Sequence, residues 1–198
     1  MSLIIGLTGG IASGKSTISN MLKEKGIPVI DADVEARLAV EIGEPAYEEI
    51  VSYFGREILN EDHTIDRAKL GAIIFNNEEK RLKLNSIVHP AVRKHMTEKK
   101  EREIEKGSNI IVLDIPLLFE SKLTYMVDKV LLVYVSEEVQ LQRLMNRNQL
   151  TEDEATARVL SQMPLKDKLQ LADAVIDNNG TIQQSEDQLN HILSKWNN

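Results

Sequence analysis

The stretch Gly9-Gly10-Ile11-Ala12-Ser13-Gly14-Lys15-Ser16 constrains this chain more than any other, because it fits G-x-x-x-x-G-K-[ST] between an apolar run at 3–7 and a segment of helical periodicity. Glycines at these positions admit backbone angles closed to other residues. Successive N–H groups can then turn inward around phosphate oxygens at the positive end of the following helix. Lys15 reaches the outer phosphates, the Ser16 hydroxyl is the expected ligand for Mg²⁺, and Thr17 can donate to an inner phosphate. The bland alternative is a Gly-rich turn with no ligand, against which Lys-Ser in the first helical turn argues. Ile18, Met21 and Leu22 form the inward face of the helix, and Gly26 suits its end.

A strand feeding such a loop belongs in a parallel α/β sheet, and further short β-branched runs recur at 27–30, 110–113, 130–135 and 174–176, with helix-like segments between them. The stretch 34–108 is different, since its pattern is helical. Pro45 can open a helix with Tyr47, Ile50, Val51 and Phe54 on one face and Gly55 after it, and Leu70, Ile73 and Ile74 mark another. A long helical run follows at 78–106, which His89-Pro90 is expected to interrupt. The stretch is too long for a plain crossover, so it reads as a helical insert, where substrate specificity is commonly carried. Ser136 is the expected N-cap of a helix holding Val139, Leu141 and Leu144, while Thr151/Glu154 and Thr181/Gln184 are capping-box pairs. In the last helix, Leu189, Ile192, Leu193 and Trp196 are expected to pack on the sheet.

Composition removes several function classes. With 31 acidic against 24 basic residues the formal charge is −7, which argues against nucleic acid as the main partner. The absence of cysteine excludes disulfides, thiolate metal sites and a thiol nucleophile. No apolar run approaches the roughly 20 residues needed to span a bilayer, and the first residues carry no basic leader. The expectation is therefore a cytoplasmic protein without a membrane role.

The candidate catalytic groups are carboxylates and arginines. Run 27–30 leads into Asp31-Ala32-Asp33 at the carboxyl edge of the sheet, where α/β sheets place their ligands. Asp31 has a strong reading as a helix N-cap, which leaves Asp33 as the favoured base for an attacking hydroxyl. Run 110–113 ends in Asp114, which either supports Mg²⁺ or caps the turn before Pro116. Arg143 and Arg147 lie four apart and share a helix face, where they would neutralise charge on a transferred group or stand as a solvated surface pair. His89 is open between a substrate contact and a helix-breaking turn.

These residues make an ATP-dependent kinase acting on a small-molecule hydroxyl the leading reading. At this point the string from Ile5 through Thr17, followed by Asp31-Ala32-Asp33, resembles the dephospho-coenzyme A kinase family. The resemblance continues through Val88-His89-Pro90, Leu113-Asp114-Ile115-Pro116-Leu117-Leu118-Phe119-Glu120, Gln142-Arg143-Leu144-Met145-Asn146-Arg147, Ser161-Gln162-Met163-Pro164 and Ala172-Asp173-Ala174-Val175-Ile176-Asp177-Asn178-Asn179-Gly180, nearly the whole chain in order. One departure is Ala12, where many members carry Gly. The resemblance implies ATP-dependent phosphorylation of the ribose 3′-hydroxyl of dephospho-coenzyme A, the last step of coenzyme A synthesis. It also implies a P-loop NTPase-type α/β body, a five-stranded parallel sheet flanked by helices. The nucleotide-binding core would comprise 1–33, 109–142 and 169–198, the helical coenzyme A insert 34–108 and the helical lid 143–168. Residue by residue, Asp33 would be the base, Lys15, Ser16 and Thr17 would hold phosphates and Mg²⁺, and Arg147 would be the lid arginine. Thr8, His89, Pro116, Leu117, Leu118 and Glu120 would border the acceptor site. The expected assembly is a monomer or small homo-oligomer.

Three rivals remain. Asp177-Asn178-Asn179-Gly180 fits the D-x-x-G of a GTPase switch, but no N-K-x-D guanine signature accompanies it. Another P-loop nucleoside or nucleotide kinase shares the same core. A nucleotide-binding regulator would bind ATP without transfer.

Overall fold

A computed structural model describes residues 2–197. The chain forms two compact units, Met1–Ile30 with Arg102–Asn198, and Asp31–Glu101.

The first unit is built on a five-stranded parallel sheet in the order β2-β3-β1-β4-β5. Its strands are β1 (Leu3–Gly9), β2 (Val29–Asp31), β3 (Ile110–Asp114), β4 (Lys129–Tyr134) and β5 (Ala174–Asp177). Strand β1 is central and buried beyond its first residue, which is why its sequence is apolar except for Thr8. Its register sets Leu7 beside Asp114 on β3 and Gly9 beside Val133 on β4. The strand order reverses at β1, so the loop leaving it opens at the crevice where such sheets bind ligands. Helix α1 (Lys15–Glu24) packs Ile18, Met21 and Leu22 into a core with Ile5, Leu7, Val112, Leu131 and Ile176. The C-terminal helix (Ile182–Trp196) adds Leu189, with Ile192, Leu193 and a partly buried Trp196 packed against the same cluster.

The second unit is helical: α2 (Ala32–Leu38), α3 (Pro45–Phe54), α4 (Arg67–Phe75) and most of α5 (Glu78–Glu105). Its core joins Ala46, Ile50, Phe54, Ile58, Leu70 and Ile87. Pro45 opens α3 and Gly55 leaves it with φ 85°, as the punctuation of the sequence implies. Buried Glu35 takes the Lys99 ammonium at 2.5 Å and so ties α2 to α5. The unit starts at the α2 cap and ends inside α5, whereas the sequence reading bounds the insert at 34–108.

One expectation is corrected here: His89-Pro90 does not interrupt α5, which runs through Pro90. Pro90 has no N–H for the Ser86 carbonyl, but both residues are exposed, so water can take the freed bond.

Beyond β4 the first unit continues with α6 (Glu137–Asn148), α7 (Glu152–Leu160) and α8 (Leu165–Lys168), and the C-terminal helix is α9. Ser136 caps α6, and both predicted capping boxes, Thr151/Glu154 and Thr181/Gln184, form. The backbone N–H and hydroxyl of Thr151 hold the Glu154 carboxyl below its ordinary value. The expected start of the lid at 143 falls within continuous α6. Among the described residues no helix is long and apolar enough to cross a membrane.

Candidate active site

The loop between β1 and α1 has the conformation its glycines predict. Gly14 stands at the N-cap of α1 with φ 89°, and a side chain there would collide with the amide nitrogen of Asn178. Gly10 accepts from Ser13 N at 3.1 Å, and Gly14 accepts from Thr17 N at 3.0 Å. The first N–H groups of a helix have no intrahelical acceptor, and here they belong to Lys15 and Ser16. The loop carbonyls are held from behind: Ile11 O accepts Gln140 Nε2 at 2.8 Å, and Ser13 O accepts Asn178 Nδ2 at 2.8 Å. A loop so anchored keeps its amides preorganised for an anion.

Ala12 sits in this loop with φ 59°, the left-handed region that glycine enters freely. That geometry explains why glycine suits the position and why the smallest side chain can replace it. Left-handed backbone costs an L-residue roughly 1–2 kcal/mol, against roughly 0.5–1 kcal/mol of extra chain entropy lost by glycine. Ala12→Gly is therefore expected to raise stability by about 0.5–1 kcal/mol, read as a higher midpoint in denaturant titration with an unchanged slope. A lower midpoint would show that the strain is not there.

Lys15 Nζ lies 2.5 Å from Asp114 Oδ1, with the lysine side chain 17% exposed and the aspartate 2%. An ammonium has three donors, so this bond leaves capacity for phosphate oxygens. Ser16 is exposed at the mouth of the loop, and Thr17 is partly buried. Thr8 is fully buried and its hydroxyl donates to Pro116 O at 3.0 Å, which fixes the turn after β3. In that turn Leu117 is exposed, while Leu118 is fully buried and would be 3.0 Å from a Cβ on Gly6, so its side chain serves packing. Glu120 Oε1 meets Lys168 Nζ at 2.8 Å and accepts Met163 N at 3.1 Å.

Of the two arginines, Arg143 comes to the loop: one terminal nitrogen donates to Asn178 O at 2.9 Å and the other would be 3.8 Å from a Cβ on Gly14. Arg147, one turn on, is exposed and bonds Asn148 Oδ1 through Nε at 2.8 Å. In the second unit, Asp31 is the α2 N-cap, its Oδ1 accepting from Asp33 N at 2.8 Å and Val34 N at 3.2 Å. Asp33 is exposed in the first turn of α2, two residues past the end of β2. His89 is exposed on α5.

Asp177–Gly180, the stretch that resembles a GTPase switch, has another use here. Asn178 is buried, its Oδ1 accepts Ser185 Oγ at 2.8 Å, and its amide anchors Ser13. Gln140, Gln162, Lys168 and Asn178 all bond the phosphate loop, yet the motif itself points to none of them. Each lies 129–165 residues along the chain from its loop partner, so no local spacing betrays it.

Comparison with known proteins extends this picture. The family model described as dephospho-CoA kinase matches residues 3–184. A curated dephospho-CoA kinase of Bacillus anthracis is 60% identical over 197 residues, 100% of this chain and 98% of the relative. Among solved structures, a dephospho-CoA kinase from Campylobacter jejuni aligns with a TM-score of 0.77 at 30% identity, covering 100% of this chain and 98% of that one. A Thermus thermophilus protein aligns with a TM-score of 0.82 at 34% identity, over 98% and 97% of the two chains.

Proposed function

Since the chain belongs to the dephospho-CoA kinase family, we propose that it transfers the terminal phosphate of ATP to the ribose 3′-hydroxyl of dephospho-coenzyme A, giving coenzyme A and ADP. The observation that carries this reading is the anchored loop with its left-handed Gly14 and the Lys15 ammonium, a cradle for a triphosphate in a chain that matches the family over residues 3–184.

In the reaction the 3′ oxygen forms a bond to the γ-phosphorus, the bond from that phosphorus to the β–γ bridging oxygen breaks, and the hydroxyl proton leaves. Asp33 takes that proton. Loop amides and Lys15 hold the phosphates, and Arg143 and Arg147 neutralise charge spreading over the transferred group. Thr8, His89 and the turn at 116–120 border the acceptor. The insert unit has a cavity of about 730 Å³ lined by Val40, Ile50, Leu70 and Val88 together with Arg37 and Arg67. That mixture of apolar wall and guanidinium suits an acceptor with a long amide arm and phosphates.

Mg²⁺ fits the donor set of Ser16 and Asp114, one hydroxyl and one carboxylate. Among the described residues no group of three His, Cys, Asp or Glu could hold a metal unaided, which suits an ion that takes its other ligands from phosphates and water. When bound there, it would supply positive charge against the phosphates. The direct test offers ATP and magnesium with dephospho-coenzyme A, nucleosides, nucleoside monophosphates or water as acceptors. Efficient transfer to the first alone is expected; transfer to nucleoside monophosphates instead, or to none, would overturn the proposal.

A further inference from the structure

Three residues spaced three apart after α7 face three consecutive residues of the phosphate loop in reverse order. Gln162 Oε1 accepts Ile11 N at 2.8 Å, Leu165 would be 3.0 Å from a Cβ on Gly10, and Lys168 Nζ reaches Gly9 O at 3.4 Å. The segment is one compact turn, since the N–H groups of Asp167 and Lys168 both bond Pro164 O. Lys168 is 0% exposed, a rare state for a lysine. Its charge is met by Glu120 at 2.8 Å, and Glu120 Oε1 also accepts the Met163 N–H of the same turn.

Such an arrangement exceeds what packing needs. Apolar residues of similar volume would fill the space without the desolvation of an ion pair. What the charges supply is direction. The ammonium pulls the Gly9 carbonyl to the back of the loop and Gln162 orients the Ile11 peptide, at the two positions flanking Gly10, where the backbone is least restrained.

We infer that Lys168 and Gln162 are positioning residues for the grip on the nucleotide phosphates, with Glu120 holding the lysine charge, so that the turn at 162–168 sets the shape of the phosphate loop from behind. The inference builds on the kinase reading but concerns nucleotide affinity, which can be measured without the acceptor. Neither residue touches the reacting atoms; each acts through a loop peptide.

The experiment pairs Lys168→Met with Glu120→Gln, which removes both charges together and avoids stranding a half-buried carboxylate, and makes Gln162→Met separately. ADP binding by calorimetry and the KM for ATP at saturating dephospho-coenzyme A are compared with the parent. Loss of either anchor is expected to weaken ADP and raise the ATP KM by about tenfold; kcat and the acceptor KM are compared for Gln162→Met alone, because Glu120 borders the proposed acceptor site, and there kcat should change less than about threefold and the acceptor KM should stay unmoved. The two changes should be non-additive when combined, because they restrain one loop. A lowered melting midpoint with ADP affinity within about twofold of the parent would make the bracket merely structural and overturn the inference. Should the charge-free pair fail to fold, Gln162→Met alone decides by the same criterion. A parent that binds ADP but does not phosphorylate dephospho-coenzyme A would count against the proposed function and leave the calorimetric comparison intact.

Discussion

Lys15→Ala is expected to lower kcat/KM for ATP by about 10²–10³-fold, the scale for removing one preorganised charge from a site where negative charge is held and transferred. The loss should appear in both parameters. An ammonium that grips the outer phosphates acts on bound ATP as well as on the transition state, so KM rises and kcat falls. A second effect adds to the first: Asp114, 1% exposed, loses the cation that faces it at 2.5 Å, and a buried carboxylate then faces the phosphates with less compensation. Thermal melting should therefore show a less stable protein even without nucleotide. Steady-state kinetics with ADP calorimetry checks the prediction. Nucleotide affinity equal to the parent's would exclude Lys15 from the cradle.

How much of this was legible beforehand depended on whether the physics was local. The loop and its strand and helix could be read because Gly9, Gly10, Gly14 and Lys15 act within one turn of chain. The capping boxes at Thr151 and Thr181 were legible for the same reason, as was the Asp31 cap, whose side chain reaches only to Asp33 and Val34. The strands were legible from apolar runs, although β1 extends to Gly9 and β2 is displaced to Val29–Asp31, since the pairing partner rather than composition ends a strand. The continuity of α5 through Pro90 was not legible, because it depends on the Ser86 carbonyl lying on an exposed face, where solvent can satisfy it. The back of the loop was illegible. Gln140, Gln162, Lys168 and Asn178 have ordinary neighbours in sequence, and only the pairing of β4 with β1, and of β5 with β4, brings them to Gly9, Ile11 and Ser13. Leu118 shows the converse, a residue in a family-like string whose side chain the fold spends on the core.

Two carboxylates stand two residues apart at the end of β2 and the start of α2, and substitution separates their roles. Asp33→Asn keeps the shape and polarity of the side chain but cannot accept a proton, so kcat should fall by about 10²–10⁴-fold, the usual worth of a positioned general base. Stability should hardly change. Asp33 is exposed and joins the cap only through its backbone N–H, which the substitution keeps, and a charge in the first turn of a surface helix is worth only about 0.3–1 kcal/mol. ADP affinity should also hold, because the phosphate loop and Lys15 are untouched. Asp31→Ala should do the reverse. It removes the acceptor for the N–H groups of Asp33 and Val34 and should cost about 1 kcal/mol of stability, while Asp31→Asn, which caps as well, should restore most of it. If Asp33→Asn turns over at near the parent's rate while Asp31→Asn is inactive, the base is Asp31, and the capping bond is then a resting contact that the reaction must break.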